Sequence, residues 1–291
     1  MANNNKRIAA VTGAASGIGR ALALELANRG FDLALADVDE KGLEETECLA
    51  FQHGVDIRTS VLDVTQRQAM FDWAGKVVTE LGSVDLLVNN AGVAQSGTVD
   101  GNDFGDYEWV MAANFWGVVN GSKAFLPHMR EVGRGHIVNV ASIFGVCAQP
   151  GMSAYNASKF AVRGFTESLR QELDMLDCGV SATCVIPGGI KTQIAHSARL
   201  SPSLAELHSG PIDDAQMRDD FLDRIARTSP EKAARIIANG VERNARRVLI
   251  GADAKFLDML QRLLPSSYQR LTIAATKLGI EKVRKAQQSA S

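Results

Sequence analysis

Short apolar segments alternate with longer segments of helical periodicity along most of this 291-residue chain. Such alternation is typical of repeated β–α–β units, in which helices cover both faces of a parallel sheet. The candidate strands are residues 7–12, 31–37, 55–61, 84–89, 135–140, 180–186 and 247–250. Helices are predicted at about 17–29, 39–53, 65–81, 104–131, 152–178 and 229–243. With right-handed crossovers, the pattern predicts an α/β fold with a doubly wound, seven-stranded parallel sheet.

A single domain, residues 1–250, accounts for all of the predicted strands. Within it, residues 188–228 form a connection too long for a simple turn, and we expect a lid of short helices over a substrate. Residues 251–291 form a basic, amphipathic helical extension. We expect the extension to pack on the body or on a partner subunit rather than on a membrane surface, although membrane contact and a loose tail stay open.

Charge and composition exclude several classes of partner. The net charge of −2 provides no broad electrostatic footprint for nucleic acid. No apolar stretch is long enough to span a bilayer, and the start, MANNNKRIAA, lacks the apolar region of a signal peptide. The four cysteines show no CxxC spacing. We therefore expect a cytoplasmic protein with reduced thiols.

Motifs of metal sites and of serine hydrolases do not occur in the sequence. The five histidines form neither an HxH nor an HExxH pattern, so no metal site is predicted. There is no GxSxG motif for a nucleophilic serine. Cys147 is interpreted as a small apolar pocket residue and not as a nucleophile.

A glycine-rich turn joins the first predicted strand to the first predicted helix. It reads Thr12-Gly13-Ala14-Ala15-Ser16-Gly17-Ile18-Gly19. Glycines permit a tight turn and the close approach of a pyrophosphate, whose charge is met by free amides at the helix start. Such a turn can also be a plain connection, but its place after the first strand favours a dinucleotide site. The predicted contacts are Gly13, Ser16, Gly17, Ile18 and Gly19.

Asp37 ends the second predicted strand. An acidic side chain there can accept both ribose hydroxyls of an adenosine and would repel a 2′-phosphate. Val38 and Asp39 follow it, and Ser16 rather than a basic residue precedes Gly17. The pattern favours NAD over NADP, while the alternative is a solvated carboxylate at the strand end.

A serine, a tyrosine and a lysine follow the fifth predicted strand. Ser142 stands at its end, and Tyr155 and Lys159 share one face of the next helix because they are four residues apart. An adjacent ammonium and a cationic nicotinamide would stabilise a phenolate at Tyr155, which could then exchange a proton with a substrate oxygen. Ser142 would donate a hydrogen bond to that oxygen. A YxxxK pair alone is more often an exposed helical pair, so its context decides.

The context is a set of motifs in a fixed order: TGAASGIG, Asp63, NNAG at 89–92, Asn114, Ser142, YNASK at 155–159 and PGGIKT at 187–192. Over about residues 5 to 250, this set resembles the shorter branch of the short-chain dehydrogenase/reductase family. The resemblance implies a Rossmann-like fold that binds NAD(P), and a catalytic tetrad of Asn114, Ser142, Tyr155 and Lys159.

The resemblance also assigns the remaining binding residues. Asp63 and Val64 would hold the adenine, Asn89 and Ala91 would lie along the adenosine side and the sheet centre, and Lys159 would hold the nicotinamide ribose. Gly92 is a further predicted contact of the dinucleotide. Asn114 would position a water that links Lys159 to solvent. The loop after the sixth strand would bind the carboxamide; its residues in the predicted site are Pro187, Gly188, Ile190 and Thr192.

The family resemblance also implies which residues would meet the substrate. Besides Ser142 and Tyr155, they are Phe144, Gln149, Met152, Gly189 and Ile194. Because most of them are apolar, an apolar ketone or secondary alcohol is expected, and steroid-like, fatty-acyl-derived and small aliphatic compounds all stay open.

The sequence therefore predicts an NAD-dependent oxidoreductase that interconverts a secondary alcohol and a carbonyl compound. The resemblance implies a homo-oligomer, a dimer or tetramer, associated through the helices near 104–131 and 152–178. The alternative is a dinucleotide-sensing or scaffold protein without turnover. Such proteins tend to have lost the tyrosine or the lysine, and this chain has both.

Overall fold

A seven-stranded parallel sheet forms the centre of the protein in the computed structural model, which describes residues 6–194, 197–208 and 226–288. The strands among the described residues are β1 (Arg7–Thr12), β2 (Phe31–Asp37), β3 (Ile57–Val61), β4 (Leu86–Asn89), β5 (Gln95–Ser96), β6 (Gly135–Val140), β7 (Val180–Pro187), β8 (Arg199–Leu200) and β9 (Arg247–Ile250). The short strands β5 and β8 form a separate two-stranded sheet, and the other seven strands form the central sheet. The sheet has the order β3-β2-β1-β4-β6-β7-β9. The doubly wound fold predicted from the alternating pattern is confirmed.

Helices cover both faces of this sheet. They are α1 (Gly17–Asn28), α2 (Glu40–Phe51), α3 (Arg67–Glu80), α4 (Phe104–Met111), α5 (Gly117–Val132), α6 (Ser153–Leu176), α7 (Leu204–His208), α8 (Pro230–Glu242), α9 (Ala252–Leu263) and α10 (Tyr268–Gln288). The last two occupy the predicted helical extension, and residues 289–291 lie outside the described part of the chain. No helix among the described residues is long and apolar enough to cross a membrane.

Alternation along the strands explains how one sheet supports two cores. In β2, Leu33 and Leu35 belong to the buried cluster formed with α1, α2 and α8. Ala34 and Ala36 point the other way, into the cluster formed with α3, α5 and α6. Because both faces are buried, the strands read as nearly continuous apolar runs in the sequence.

The helix predicted over 104–131 is interrupted. It runs as α4, a π-helical stretch at Ala112–Trp116, and then α5. Asn114 lies in this stretch, and its side chain bonds both backbone groups of Val93, at 2.7 Å and 3.0 Å. Single π turns within helices often occur at functional sites. The apolar periodicity did not reveal this one, because an inserted residue leaves the pattern on either side nearly unchanged.

The predicted lid at 188–228 is described in part, since residues 195–196 and 209–225 lie outside the described residues. Its first part contains β8, which pairs in parallel with β5, and the short helix α7. The Arg199 guanidinium lies 3.6 Å from the centre of the Trp109 ring. These contacts attach the lid to the segment after β4. Strands of two residues are too short to produce a periodic signal in the sequence.

A buried histidine in β6 predicts sensitivity to acid. His136 Nε2 lies 2.7 Å from Thr183 Oγ1 of β7, and burial lowers the pKa of His136 to about 4. The unfolded chain, with an ordinary histidine pKa of about 6.5, binds a proton that the folded protein does not bind between these values. Stability is therefore complete above about pH 6.5 and falls as the pH decreases toward the folded pKa.

We expect His136→Gln, which keeps a polar group toward Thr183, to lose less thermal stability on acidification than the wild type. The measurement is the melting temperature across the weakly acidic range. His53→Gln, at an exposed position, is the matched control and should follow the wild type. Equal acid sensitivity in all three proteins would contradict the role of His136.

Candidate active site

The carboxyl ends of β1, β4, β6 and β7 lie side by side at one edge of the sheet. Each of these ends leads into one of the motifs of the sequence: the glycine-rich turn, NNAG, Ser142 and PGGIKT. In open α/β sheets, ligands bind at this edge. The fold thus brings together segments that are far apart along the chain.

The glycine-rich turn has the conformation that its glycines permit. Gly13 and Gly17 have φ values of +67° and +54°, in the left-handed region. A Cβ atom at Gly19 would overlap the carbonyl oxygen of Gly13, and one at Gly13 would lie 2.7 Å from the Cα of Ala91. Ser16 is the N-cap of α1, but among the described residues its side chain makes no capping bond. The first amides of α1 are thus left available to an anion, and the cradle fits a pyrophosphate.

Asn90 connects this turn to the end of β4. Its amide donates to the carbonyl oxygens of Thr12 and Gly13, both at 3.1 Å. In return, Thr12 Oγ1 accepts from the backbone amides of Asn90 and Ala91, at 3.1 Å and 3.2 Å. Sequence reasoning included Asn90 in the NNAG motif without assigning it a role. The second asparagine of that motif is the signal that could have identified it.

Asp37 lies at the rim of the turn. Its Oδ2 accepts a hydrogen bond from the Ala15 amide at 2.9 Å, and its Oδ1 accepts one from the Asp39 amide at 3.1 Å. The carboxylate is therefore fixed beside the glycine-rich turn and is more than a solvated group at a strand end. Asp63 follows β3 and accepts from the Thr65 amide at 2.9 Å.

Two residues that were assigned to the dinucleotide site, Asn89 on the adenosine side and Val64 at the adenine, are buried in the core. Asn89 is 2% exposed, and its amide donates to Asn139 Oδ1 at 2.8 Å and to Ser122 Oγ at 3.2 Å. Its side chain thus joins β4 to β6 and α5. Val64 is also buried, and its carbonyl oxygen accepts from Asn120 at 3.0 Å. Their contacts to a dinucleotide stay a prediction.

Ser142, Tyr155 and Lys159 meet beyond the end of β6. Ser142 lowers the pKa of the Tyr155 hydroxyl as its hydrogen-bonding neighbour, and Ser142 Oγ accepts from the Phe144 amide at 3.2 Å. Lys159 Nζ lies 5.6 Å from the centre of the Tyr155 ring and donates to the Val140 carbonyl oxygen at 3.0 Å. All three side chains are buried. The pair on α6 is therefore not the exposed helical pair that the YxxxK pattern also allows.

Burial controls the protonation of this group. It raises the pKa of Tyr155 to about 12, although the hydrogen bond with Ser142 opposes the rise. Burial also lowers the pKa of Lys159 to about 8. Both shifts favour the neutral forms, because a dry environment stabilises a charge poorly. A cationic group bound next to Tyr155 would act in the opposite direction on its pKa.

Asn114 and Lys159 approach each other at Gly92. A Cβ atom on Gly92 would lie 2.9 Å from Asn114 Oδ1 and 3.4 Å from Lys159 Nζ. Asn114 also donates to Ser158 Oγ at 3.0 Å, and this bond attaches the π-helical stretch to α6. The four predicted catalytic residues are thus brought together. The water that the family resemblance implies at Asn114 stays a prediction.

The loop after β7 is held by a residue that sequence reasoning missed. Asp253 of α9 accepts from the Gly189 amide at 2.6 Å, and a Cβ atom at Gly188 would overlap its carboxylate. Ile190 forms a backbone bridge with Thr228 at the far end of the lid. The available signal was an acidic residue three positions after the end of the last predicted strand.

Thr192 lies against the glycine-rich turn. A Cβ atom at Gly17 would come within 3.1 Å of the Thr192 side chain. The loop after β7 and the turn after β1 therefore form the two sides of one cleft, as the sequence assignment requires. Pro187, which ends β7, is paired with Ile250 of β9.

The predicted substrate residues lie around Tyr155 to different extents. The Phe144 ring packs edge-on to Tyr155, with ring centres 6.3 Å apart. Met152 is the N-cap of α6 and pairs with Gly97 through a backbone bridge. Gln149 is engaged elsewhere, because its amide donates to Thr276 Oγ1 of α10 at 2.8 Å. Ile194 follows Thr192 and is half-buried.

The cysteines near the site are inert. Burial raises the pKa of Cys147 to about 11 and that of Cys184 to about 12. A thiol with so high a pKa carries almost no thiolate at neutral pH. Among the described residues, no group of three or more histidine, cysteine or acidic side chains is arranged to hold a metal ion.

Two named relatives are similar in sequence to this chain over almost its whole length. SadH of Mycobacterium tuberculosis (strain H37Rv) is 48% identical over 94% of this chain and 96% of its own length. Estradiol 17-beta-dehydrogenase 11 of Homo sapiens is 33% identical over 94% of this chain and 84% of its own length.

A solved structure has the same fold as this chain. The crystal structure of a short chain dehydrogenase/reductase from Burkholderia phymatum in complex with NAD superposes with a TM-score of 0.80 at 30% identity. The match covers 91% of this chain and 95% of that chain. The model of the short chain dehydrogenase family matches residues 7–202. This chain belongs to the short-chain dehydrogenase/reductase family, whose members are oxidoreductases that bind a nicotinamide dinucleotide.

Proposed function

We propose that the protein uses NAD to interconvert an apolar secondary alcohol and the corresponding ketone, with Tyr155 as the acid and base. The observation that carries the proposal is the buried group of Ser142, Tyr155 and Lys159 at the edge of the sheet, next to a glycine cradle. A tyrosine held by a serine and accompanied by a lysine can move a proton to or from one substrate oxygen.

The dinucleotide would be held by residues on both sides of the cleft. The glycine-rich turn and the first amides of α1 would take the pyrophosphate, Asp37 the adenosine ribose, and Lys159 the nicotinamide ribose. Thr192 and the backbone of Ile190 would take the carboxamide. When bound, the nicotinamide ring supplies the hydride acceptor for oxidation and the hydride donor for reduction.

Proton transfer would be carried out by Tyr155, with Ser142 and Lys159 assisting it. In oxidation, the Tyr155 oxygen, as phenolate, takes the proton of the substrate hydroxyl while Ser142 donates a hydrogen bond to the same oxygen. In reduction, the Tyr155 phenol returns that proton to the carbonyl oxygen. Lys159 has a pKa of about 8 and is mostly protonated at neutral pH, so its charge opposes the effect of burial on Tyr155.

An apolar substrate is supported by the surroundings of Tyr155. The Phe144 ring packs against it, and Ile143, Val146 and Cys147 form a buried apolar cluster beside it. The human relative is named as an estradiol 17-beta-dehydrogenase, and estradiol is an apolar molecule. We therefore propose a substrate of this general class, apolar with one secondary hydroxyl or ketone.

We propose that copies of this chain associate through a surface that includes α4, the π-helical stretch, α5 and α6. Phe104, Trp116 and Phe160 are 88%, 48% and 41% exposed. Large apolar side chains on long helices are suited to contact with a second copy, and the family resemblance predicted the same helices.

Replacement of Tyr155 tests the chemistry. We expect Tyr155→Phe to reduce kcat/KM by about 100- to 10,000-fold, since a general acid–base contributes this much. The dissociation constant of NADH, measured by its fluorescence, should stay close to the wild-type value.

Tyr107→Phe is the matched control, because the Tyr107 hydroxyl bonds Ser153 and neither residue is assigned a role in proton transfer or dinucleotide binding. It should keep wild-type turnover. Full activity in Tyr155→Phe would contradict the assigned role, and NADH binding without turnover of any alcohol or ketone by the wild type would favour a sensor without turnover.

The pH dependence follows from the state of Tyr155. Alcohol oxidation should become faster from neutral to alkaline pH, because only the phenolate accepts a proton and burial raises the pKa of the phenol. Carbonyl reduction should slow over the same range. In the wild type, Ser142 lowers the pKa of Tyr155. Ser142→Ala removes this influence and raises the Tyr155 pKa, so the residual oxidation rate should rise only at a higher pH. A flat kcat/KM profile for oxidation would contradict this mechanism.

The choice of dinucleotide depends on Asp37. The carboxylate fixed beside the turn should repel a 2′-phosphate, so the wild type should prefer NAD. We expect Asp37→Asn to raise the ratio of kcat/KM for NADP to that for NAD by about tenfold. Asp72→Asn, on the exposed side of α3, is the charge-matched control. A ratio unchanged from that of the control would remove Asp37 from the selection.

A further inference from the structure

The C-terminal extension is bonded to the segment that lies between Ser142 and Tyr155. We call residues 143–152 the substrate-side loop. Three successive residues of this loop donate hydrogen bonds to the extension: Cys147 to the Leu257 carbonyl oxygen at 3.4 Å, the Ala148 amide to Tyr268 Oη at 3.3 Å, and Gln149 to Thr276 Oγ1 at 2.8 Å. Contacts therefore come from both α9 and α10.

The extension is packed against the body through α9 and Tyr268, the first residue of α10. Tyr268 is 5% exposed and Ala254 is fully buried, in one cluster with Ile143 and Val146 of the loop. Asp258 is also buried and pairs with Arg247 of β9 at 2.7 Å. The outer face of α9 is exposed. The inner face of the extension thus forms part of the protein body.

The two ends of the loop act on the catalytic group. At the first end, the Phe144 amide donates to Ser142 Oγ, and the Phe144 ring packs on Tyr155. At the second end, the Gln149 carbonyl oxygen accepts from Asn156 Nδ2 at 2.8 Å, next to Tyr155 on α6. A change in the middle of the loop is therefore transmitted to the surface that a substrate meets.

We propose that Tyr268 and Thr276 are positioning residues for the substrate, which hold the substrate-side loop as one wall of the pocket. The proposal rests on the proposed alcohol–ketone function. Neither residue touches the glycine cradle or the Ser142–Tyr155 hydrogen bond, so substrate affinity depends on them while dinucleotide binding and proton transfer do not. Gln149 then acts as the anchor of the loop rather than as a direct substrate contact.

The test compares variants of nearly unchanged shape in the full-length protein. Thr276→Val and Tyr268→Phe each remove one hydrogen bond to the loop. We expect each to raise KM for the alcohol about three- to tenfold, as the loss of a neutral hydrogen bond predicts. The value of kcat and the NADH dissociation constant should stay within about twofold. Thr276→Ser, which keeps the hydroxyl, should restore the wild-type KM.

Thr272→Val is the matched control on the same helix. The Thr272 hydroxyl donates to the Gln269 carbonyl oxygen within the extension and not to the loop. It should keep the wild-type KM. The proposal is overturned if Thr276→Val and Tyr268→Phe also keep that value, or if kcat and NADH binding fall together with substrate affinity, because the role is then merely structural.

A second readout separates this proposal from the proposed function. Hydrogen exchange of peptides that cover residues 143–152 should be faster in Tyr268→Phe and Thr276→Val than in Thr272→Val. If the wild type turns over none of the alcohols offered, the proposed function fails. Faster exchange in the two variants would still support the anchoring of the loop, and unchanged exchange would overturn it.

Discussion

The common direction of all seven strands in the central sheet is the constraint on which the site depends. Parallel strands require crossovers, and the crossovers place helices on both faces and leave every carboxyl end at one edge. Segments far apart in the chain therefore meet there. The bonds of Asn90 to Thr12 and Gly13 show how closely two of these ends approach.

The segments can approach so closely only where residues without a side chain stand at the contact. Gly13 and Gly19 lie where any larger residue would collide with neighbouring backbone. The absence of side chains lets the turn fold tightly and leaves amides of the first helix available to an anion. The same condition applies at Gly188, which lies against the Asp253 carboxylate. Members of the short-chain dehydrogenase/reductase family bind a nicotinamide dinucleotide, which agrees with a turn that can hold a pyrophosphate.

Burial determines the pKa values in the group formed by Ser142, Tyr155 and Lys159. Burial raises the pKa of Tyr155 and lowers the pKa of Lys159. The charged form of each side chain is therefore less stable in the protein than in water. The hydrogen-bonding influence of Ser142 opposes the effect on the pKa of Tyr155. The extension contributes to the neighbouring core, since Tyr268 and Ala254 are buried in one cluster with Ile143 and Val146 of the substrate-side loop.

Local pattern by itself determined the strand and helix order, the glycine-rich turn and the spacing of Tyr155 and Lys159, because these depend on periodicity and on neighbouring residues. Only the tertiary structure decided that Asn89 lies in the core, that Asn114 stands in a π-helical stretch, and that Gln149 bonds the extension. It also revealed Asp253 as the residue that holds the loop after β7. These features depend on contacts between residues far apart in the chain, and a single sequence carries no periodic signal for such contacts.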